Sequence, residues 1–257
     1  MEDFGKVSVV MPAYNSGRFI TEAIASVLAQ TYSNWELLIV DDASTDATAE
    51  LLQSFRQDDR IKIFRFSKNK GTQFSRNKAI EEASGDFIAF LDADDLWKPE
   101  KLYLQLQMMQ TNKLPACFSS YELISENGQN LHTKIEALSL LSYQKLQKAN
   151  YVGNLTGIYD VRQLGKVFAP DLKKRQDWAL WLEVIRLGGA MYSIRESLAY
   201  YRVRKDSISG NKLEMLRYNY KVYHEILGFS KAKSLLKMCA FLWEQFFVKS
   251  RQQIRLD

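Results

Sequence analysis

Three carboxylates fall within four residues at Asp92, Asp94 and Asp95, directly after the apolar run at 87–91. Carboxylates this close repel one another unless a cation lies among them, and hard cations such as Mg²⁺ prefer oxygen ligands. The cluster therefore predicts a divalent-metal site. The same residues also fit a solvated surface turn or the capped start of a helix, and the cap suits Asp95 in particular.

Carboxylate motifs of two other classes do not match this cluster. An EF-hand calcium loop needs a Gly and a closing Glu at fixed offsets, which the sequence does not supply. A phosphatase of the haloacid dehalogenase type needs Asp-x-Asp-x-Thr, and Leu96 stands at the threonine position. A metal-dependent phosphohydrolase is therefore the weaker enzyme hypothesis.

An aromatic residue and two further acids stand where two more apolar runs end. Tyr14 follows the run at 7–11, where it can either stack on a flat base or pack beneath the next helix. Asp41 and Asp42 follow the run at 36–40. Helix capping does not require two successive acids at this point, so a ligand-binding role accounts for them better.

Helical segments separate four apolar runs, and this alternation predicts an α/β fold with a mostly parallel sheet flanked by helices. The predicted strands are residues 7–11, 36–40, 61–66 and 87–91. Ligands bind at the carboxyl ends of such strands, so the acids and Tyr14 should meet at one edge of the sheet. The turn after the first strand lacks the glycine patterns of dinucleotide and phosphate-loop sites, so NAD binding and ATP hydrolysis are not indicated.

The pattern of elements changes beyond the fourth strand. The predicted elements are helix 100–110, strand 116–124, helix 138–150, helix 177–187, strands 190–194 and 198–203, and helices 213–227 and 230–255. Asp177 stands at the start of one of these helices. Taken by itself, this residue fits a helix N-cap better than a catalytic group.

The composition is that of an ordinary globular protein, with 257 residues of which 46% are hydrophobic and 25% are charged. Cys117 and Cys239 stand far apart in apolar surroundings and are predicted to be reduced core cysteines. The sequence starts with acidic residues rather than a secretory signal, and no apolar run reaches the roughly 18 residues of a spanning helix. A cytoplasmic location is therefore expected.

The net charge of +5 arises in the tail, because residues 201–257 hold twelve Lys and Arg residues against five Asp and Glu. The last predicted helix carries the apolar residues Leu235, Leu236, Cys239, Leu242, Trp243, Phe246 and Phe247 among lysines. Such a helix can lie on an anionic membrane surface, or it can pack on the catalytic domain or on a second subunit of an oligomer. No nucleic-acid recognition motif accompanies these residues, so nucleic acid is not a predicted partner.

Several blocks of sequence occur in order across residues 7–110, and together they resemble family 2 glycosyltransferases of the GT-A fold. The blocks are Val9-Val10-Met11-Pro12-Ala13-Tyr14-Asn15, Gln30-Thr31-Tyr32, Trp35-Glu36, Val40-Asp41-Asp42-Ala43-Ser44-Thr45-Asp46, Gly71 with Ser75-Arg76-Asn77, and residues 85–95. A weaker match at 175–182 and 201–202 resembles bacterial enzymes that build capsule, teichuronic-acid or lipopolysaccharide chains.

The resemblance implies a nucleotide-sugar site at the first strands. Tyr14, next to Pro12, would stack on the nucleotide base, and Asp42 would hydrogen-bond to that base. Arg76 would lie near the base or the phosphates.

The resemblance also implies roles for the later acids. Asp92 would hold the ribose or the water shell of the metal, and Asp94 would bind the Mg²⁺ or Mn²⁺ ion that bridges the diphosphate. Asp177 would be the catalytic base. Most of the family carries Glu where this chain has Gln176, so no role is implied for a carboxylate at that position.

These implied roles predict a metal-dependent, inverting glycosyltransferase. It would move a hexosyl or N-acetylhexosaminyl group from a nucleotide sugar, with UDP as the expected nucleotide. The acceptor would be a hydroxyl of a growing bacterial surface polysaccharide or of a lipid-linked saccharide. A non-catalytic nucleotide-sugar-binding subunit is the alternative from a different class.

The predicted catalytic domain spans 1–212, with a nucleotide-binding half at 1–112 and an acceptor-binding half at 113–212, and a C-terminal helical appendage spans 213–257. A basic, polar loop closes the predicted domain and contains Arg202, Arg204, Lys205 and the stretch Ser207-Ile208-Ser209-Gly210. It is either a lid over the diphosphate or a solvated loop. The basic, aromatic surface of the appendage would contact either the inner face of the cell membrane or another protein surface.

Overall fold

In the computed structural model, which describes residues 2–204 and 212–256, eleven strands form one sheet. The strands are β1 (Val7–Ala13), β2 (Trp35–Asp41), β3 (Ile61–Arg65), β4 (Phe87–Phe90), β5 (Leu96–Trp97), β6 (Ala116–Ile124), β7 (Asn130–Ile135), β8 (Leu140–Leu141), β9 (Ile158–Asp160), β10 (Met191–Arg202) and β11 (Gln253–Arg255).

Helices cover both faces of this sheet. The α-helices of the described residues are α1 (Ile20–Leu28), α2 (Thr48–Gln53), α3 (Thr72–Glu82), α4 (Lys101–Asn112), α5 (Tyr143–Leu146), α6 (Val161–Leu164), α7 (Gln176–Gly188), α8 (Lys212–Lys221) and α9 (Lys231–Trp243). A π-helical segment, Val222–Ile226, extends α8, and another, Glu244–Val248, extends α9 and leads into the 3₁₀ turn Lys249–Gln252.

The first four strands form the parallel part of the sheet, in the order β3-β2-β1-β4. Every residue of β1, β2 and β4 is buried, which explains why these strands are mainly apolar rather than alternating. The polar residues among them are Ser8, Glu36 and Asp41. The α/β prediction for the first part of the chain is confirmed. All four strands point the same way, so the residues that follow them meet at one edge of the sheet.

The later strands make the sheet mixed. Strand β9 pairs antiparallel with both β4 and β6, and β7 and β11 continue the antiparallel order outward. Strand β10 runs parallel to β6 and also pairs with the short strands β5 and β8. The mostly parallel arrangement predicted from residues 7–92 is found for β1 to β4, and the later strands add antiparallel pairs to it.

Four predicted elements differ from the structure. The predicted helix 138–150 is replaced by β8 and the four-residue α5, because Ser142 caps a new helix start by accepting a hydrogen bond from the backbone N–H of Lys145 at 3.2 Å. The two strands predicted at 190–194 and 198–203 are one strand, β10, with register shifts around Ser197. The last predicted helix ends before β11, which pairs with β7.

The core forms two layers, because successive residues of the central strands point to opposite faces. Val9 and Leu37 face α1 and α4, whereas Val10 and Leu38 face α3 and α7. The tail belongs to the second layer, where the rings of Tyr223 and Phe241 lie 5.6 and 5.9 Å from the ring of Trp178. These contacts anchor α8 and α9 to α7.

The two cysteines differ in environment. Cys117 is buried, as predicted, but Cys239 is exposed on α9, so the prediction that both are core residues is wrong for Cys239. An apolar residue such as Cys239 is exposed on an amphipathic surface helix when the apolar face of the helix is wider than the area that packs on the rest of the protein. Among residues 2–204 and 212–256, no helix combines the length and the apolar character needed to cross a bilayer.

Candidate active site

The turn after β1 presents Tyr14 to solvent. Its side chain is 48% exposed, so it does not pack beneath α1, whereas Pro12 is buried within β1. Asn15 adopts a left-handed conformation with φ of 47°, and its backbone N–H donates to Ser44 Oγ at 2.9 Å. The turn is thereby fixed to the loop after β2, with the aromatic ring facing outward.

Asp42 anchors the loop that leads into α3. One carboxylate oxygen accepts a hydrogen bond from the backbone N–H of Lys70 and the other from that of Gly71, both at 2.7 Å. The residue is 2% exposed. Each carboxylate oxygen can accept more than one hydrogen bond, so the anchor leaves room for a ligand N–H. Contact of Asp42 with the nucleotide base therefore stays a prediction. Its anchoring of the loop before α3 is a further role that the sequence did not indicate.

Arg76 reaches from α3 to Asp92, where Nη2 donates to Oδ1 at 2.9 Å. The arginine is 3% exposed, and its Nε and Nη1 atoms are buried with no hydrogen-bond partner among the described residues. Burial raises the pKa of Asp92, Arg76 lowers it, and the nearby Asp94 and Asp177 raise it. About a third of the Asp92 side chain stays open to the cleft. The pair therefore combines a carboxylate surrounded by like charges with an arginine that has two unused donors.

Asp94 pairs with Arg204, whose Nη1 lies 2.8 Å from Oδ2 of the carboxylate. Asp95 has a different role, because it accepts a hydrogen bond from the backbone N–H of Arg202 at 2.9 Å and is 2% exposed. Burial and the charges of Asp94 and Asp92 raise the pKa of Asp95 well above its ordinary value. The expected helix cap at Asp95 is wrong, since α4 begins only at Lys101. Asp95 instead fixes the end of β10 beneath the cluster.

The donor set at Asp94 fits a divalent metal that is completed by a substrate. No group of three or more His, Cys, Asp or Glu residues able to hold a metal occurs within 2–204 and 212–256. Mg²⁺ typically takes one or two protein carboxylates together with substrate phosphates, so a full protein cage is not required. The Arg204 guanidinium already shows that the position beside Asp94 stabilises a cation.

Asp177 is the second residue of α7 and is not its N-cap. The N-cap position is Arg175, and no side-chain hydrogen bond caps the helix. Asn150 Nδ2 donates to Oδ2 of Asp177 at 2.8 Å and orients the carboxylate. Asp177 also lies close enough to Asp92 to raise the pKa of that residue. The structure thus brings the predicted base to the same cleft as the carboxylates after β4.

The surroundings of Asp177 contain residues that sequence reasoning missed. Lys249 donates from Nζ to the backbone carbonyl of Asn150, so it is linked to Asp177 through that residue. Arg175 directly precedes α7 in a left-handed conformation with φ of 64°. The excess of basic residues in the tail is visible in the sequence. The contact of Lys249 with Asn150, however, depends on tertiary packing. Lys205 and residues 207–210 of the predicted lid lie outside the described residues.

Known proteins are similar in sequence to most of this chain. Over 88% of its length, the chain is 40% identical to TuaG of Bacillus subtilis (strain 168), whose name assigns it to teichuronic acid biosynthesis as a glycosyltransferase, and the match covers 91% of TuaG. It is 38% identical to WfgD of Escherichia coli, a UDP-Glc:alpha-D-GlcNAc-diphosphoundecaprenol beta-1,3-glucosyltransferase, with 86% of each chain covered.

A solved structure shares the fold. Staphylococcus aureus TarS 1–349 in complex with UDP-GlcNAc superimposes with a TM-score of 0.72 at 21% identity, covering 94% of this chain and 73% of that one. The sequence model described as glycosyl transferase family 2 matches residues 8–169. The family match, together with the relatives TuaG and WfgD, shows that the chain belongs to glycosyltransferase family 2, and its sheet has the GT-A fold.

Proposed function

We propose that this enzyme transfers a hexosyl or N-acetylhexosaminyl group from a UDP-sugar, with inversion, to a hydroxyl of a bacterial surface polysaccharide or its lipid-linked precursor. The observation that carries this proposal is the convergence of two carboxylates on Asp92: Asp94 from the end of β4 and Asp177 from the start of α7. The first suits a metal–diphosphate complex, and the second suits a proton acceptor. The names of TuaG and WfgD support the class of acceptor.

The donor side of the cleft has groups suited to a nucleoside diphosphate. Tyr14 offers an exposed ring for base stacking, and Asp42 lies at the end of the neighbouring strand β2. Arg76 and Arg204 supply guanidinium groups, which match phosphate oxygens well. Asp94 would hold Mg²⁺ or Mn²⁺, and the bound ion would neutralise the negative charge of the departing diphosphate. Metal dependence is thus part of the proposal.

The acceptor side has one suitable general base. Asp177 would accept the proton of the attacking hydroxyl while that oxygen bonds to the anomeric carbon opposite the leaving diphosphate, and this single displacement inverts the anomeric centre. The hydrogen bond from Asn150 holds the carboxylate in one orientation. The position of Asp177 in the first turn of α7 places its carboxylate near the positive end of the helix dipole.

The direct test is a panel of nucleotide sugars assayed with Mn²⁺, with Mg²⁺ and with EDTA. We expect sugar transfer or slow donor hydrolysis that EDTA abolishes and that releases UDP. Release of inorganic phosphate from phosphate esters with no sugar transfer would favour a phosphohydrolase. Tight binding without turnover of any donor and acceptor would favour a nucleotide-sugar-binding subunit.

The tail supports a second part of the proposal, a peripheral contact with the inner face of the cell membrane. Several apolar side chains of α9 and its π-helical extension are more than half exposed, and we call them the tail apolar surface: Leu235 60%, Leu236 71%, Trp243 63%, Phe246 67% and Phe247 56%. Basic residues flank them at Lys231 and Arg251. Aromatic and basic residues in this arrangement suit an anionic bilayer surface.

Substitution tests this contact better than truncation, because removing the tail would also remove the core residue Phe241. Leu236→Ser and Phe246→Ser should weaken co-sedimentation with phosphatidylglycerol vesicles. Leu187→Ser, at an exposed site on α7, is the matched control. Unchanged vesicle binding together with a loss of dimer on size-exclusion chromatography would assign the surface to a second subunit instead.

A further inference from the structure

Two cations, Arg175 and Lys249, lie near Asp177. Arg175 precedes it by two residues at the start of α7, and Lys249 donates to the backbone carbonyl of Asn150, whose side-chain amide donates to Asp177. Asp177 acts electrostatically on both Arg175 and Lys249, and it is the only carboxylate found to do so in the described part of the chain. Burial lowers the pKa of both cations. Burial and the charge of Arg175 together lower the pKa of Lys249 to about 8, with Asp177 acting in the opposite direction. The cluster therefore carries an excess positive charge inside the cleft.

The side chain of Arg175 is held in place with donors unused. It makes no hydrogen bond to any residue of 2–204 or 212–256, and its Nε is buried without a partner. Its φ of 64° is a conformation that residues with a Cβ atom seldom adopt, and such strain clusters at functional sites. Arg175 is half-buried, and its guanidinium carbon lies 6.0 Å from the ring centre of Phe241. Because its Nε has no hydrogen-bond partner among the described residues, an anionic ligand is a natural complement of this group.

The neighbouring charges are already neutralised within the protein. Lys145 pairs with Glu244, which also accepts a hydrogen bond from Tyr151, and Lys174 pairs with Glu214 at 2.6 Å. These pairs leave Arg175 and Lys249 as the cations that face Asp177.

We propose that Arg175 and Lys249 form an acceptor-diphosphate subsite, which binds the diphosphate of a glycosyl-diphosphate lipid while a hydroxyl of its sugar faces Asp177. This inference rests on the proposed transferase function and names its acceptor class. In a monosaccharide-diphosphate lipid, the diphosphate and the attacking hydroxyl are separated by one sugar ring. Cations next to the base therefore suit such an acceptor, and guanidinium and ammonium groups bind phosphate by charge-assisted hydrogen bonds.

The position of Lys249 fits the lipid part of such an acceptor. Lys249 follows the π-helical segment that carries Phe246 and Phe247, two residues of the tail apolar surface. A bilayer in contact with this surface would place phosphate groups at the level of the lysine. The donor diphosphate has separate candidate partners, Asp94 and Arg204, at the ends of β4 and β10.

The test compares two soluble ligands that differ only in the diphosphate: a short-chain alkyl α-N-acetylglucosaminyl diphosphate and the matched alkyl α-N-acetylglucosaminide. Calorimetric titration of the full chain should show tighter binding of the diphosphate by roughly tenfold or more. Lys249→Met and Arg175→Met should lose most of that difference, and Lys249→Arg should retain it. Arg56→Met, which removes an exposed cation in the turn after α2, is the control.

The same titrations with UDP and Mn²⁺ distinguish failure of the subsite from failure of the transferase function. If wild type binds neither UDP nor either sugar, the proposed transferase function fails. If UDP binds but the two sugars bind equally to wild type, or if the variants weaken both sugars alike at unchanged Tm, the subsite is overturned and the cations only position Asp177. Weaker binding of the variants to phosphatidylglycerol vesicles, with both sugars bound equally, would assign the cations to membrane headgroups and overturn it as well.

Discussion

The Arg204 guanidinium lies 2.8 Å from the carboxylate of Asp94, the residue that we propose as the metal ligand. Arg204 and a divalent cation therefore compete for the same oxygen atoms. Arg204→Met should tighten binding of Mn²⁺ by up to about fivefold, since a partly exposed ion pair is worth about 0.2–1 kcal/mol. The variant should also turn over more slowly, because it lacks a positive charge near the diphosphate.

Electron paramagnetic resonance titration of free Mn²⁺ measures this competition without an activity assay. Arg18→Met is a suitable control, because Arg18 forms an ion pair with Glu126 rather than with a site carboxylate. An affinity for Mn²⁺ that is the same in wild type and Arg204→Met would show that the pair does not compete with the metal.

Asp177→Asn should reduce the transfer rate by about 10²–10⁴-fold, the usual contribution of general base catalysis, and leave the affinity for UDP with Mn²⁺ nearly unchanged. The amide has the size of the carboxylate but cannot accept the proton. Asn150→Ala should cost less, because Asn150 orients the carboxylate and does not replace it. Single-turnover rates and UDP titrations provide the two measurements, and full transfer by Asp177→Asn would exclude this residue as the base.

Asp42→Asn should destabilise the protein by about 1–3 kcal/mol, because one of the two backbone N–H groups at Lys70 and Gly71 would face an amide NH₂. Urea unfolding measures this change. Asp58→Asn, at an exposed turn paired with Arg60, is the control for removing a carboxylate. A stability equal to wild type would mean that Asp42 does not anchor the loop, and weaker UDP binding at unchanged stability would favour a role in base recognition alone.

Lys101, which lies outside the candidate active site, should make the free energy of unfolding depend on pH. The side chain is fully buried, hydrogen-bonds to Gln105 at 2.6 Å, and lies 4.1 Å from the ring centre of Trp97. Burial lowers the pKa of Lys101 from 10.5 to about 7, with the Cys117 thiol acting in the opposite direction.

Between these two pKa values the unfolded chain binds more protons at Lys101 than the folded chain does. The free energy of unfolding should therefore rise with pH from about 7 to about 10 and lack this contribution below pH 7. Lys101→Met keeps the length of the side chain and removes the proton, so its unfolding free energy should vary less over this range. Parallel pH profiles for wild type and Lys101→Met would contradict the shifted pKa.

The central strands and the acids that follow them could be predicted because their signal is local. A strand buried on both faces is mainly apolar, and β1, β2 and β4 have this composition. The neighbours of Asp177 could not be predicted in this way. Asn150 and Lys249 come from segments far apart in sequence, and only the packing of α9 and its extension on α7 brings them together.

The elements that differ from their predictions have similar causes. A short polar cap at Ser142 interrupts the apparent helix at 138–150, and pairing with β7 makes a strand of the last residues described. Asp95 resembled a helix cap in the sequence, but its carboxylate accepts a hydrogen bond from the backbone N–H of Arg202, the last residue of β10. The cap at Ser142 is a local contact, whereas at β11 and Asp95 a contact with a distant segment overrides the local pattern.

The pairing of Gln253 with Ile135 has a consequence for the order of folding. The parallel strands β1 to β4 lie within the first ninety residues, so the donor side can form early during synthesis. The 3₁₀ turn that carries Lys249 directly precedes β11 and is fixed only when that strand closes the sheet edge. With the proposed roles, the strands that precede Tyr14 and Asp42 are therefore in place before the subsite for the molecule that receives the sugar is finished.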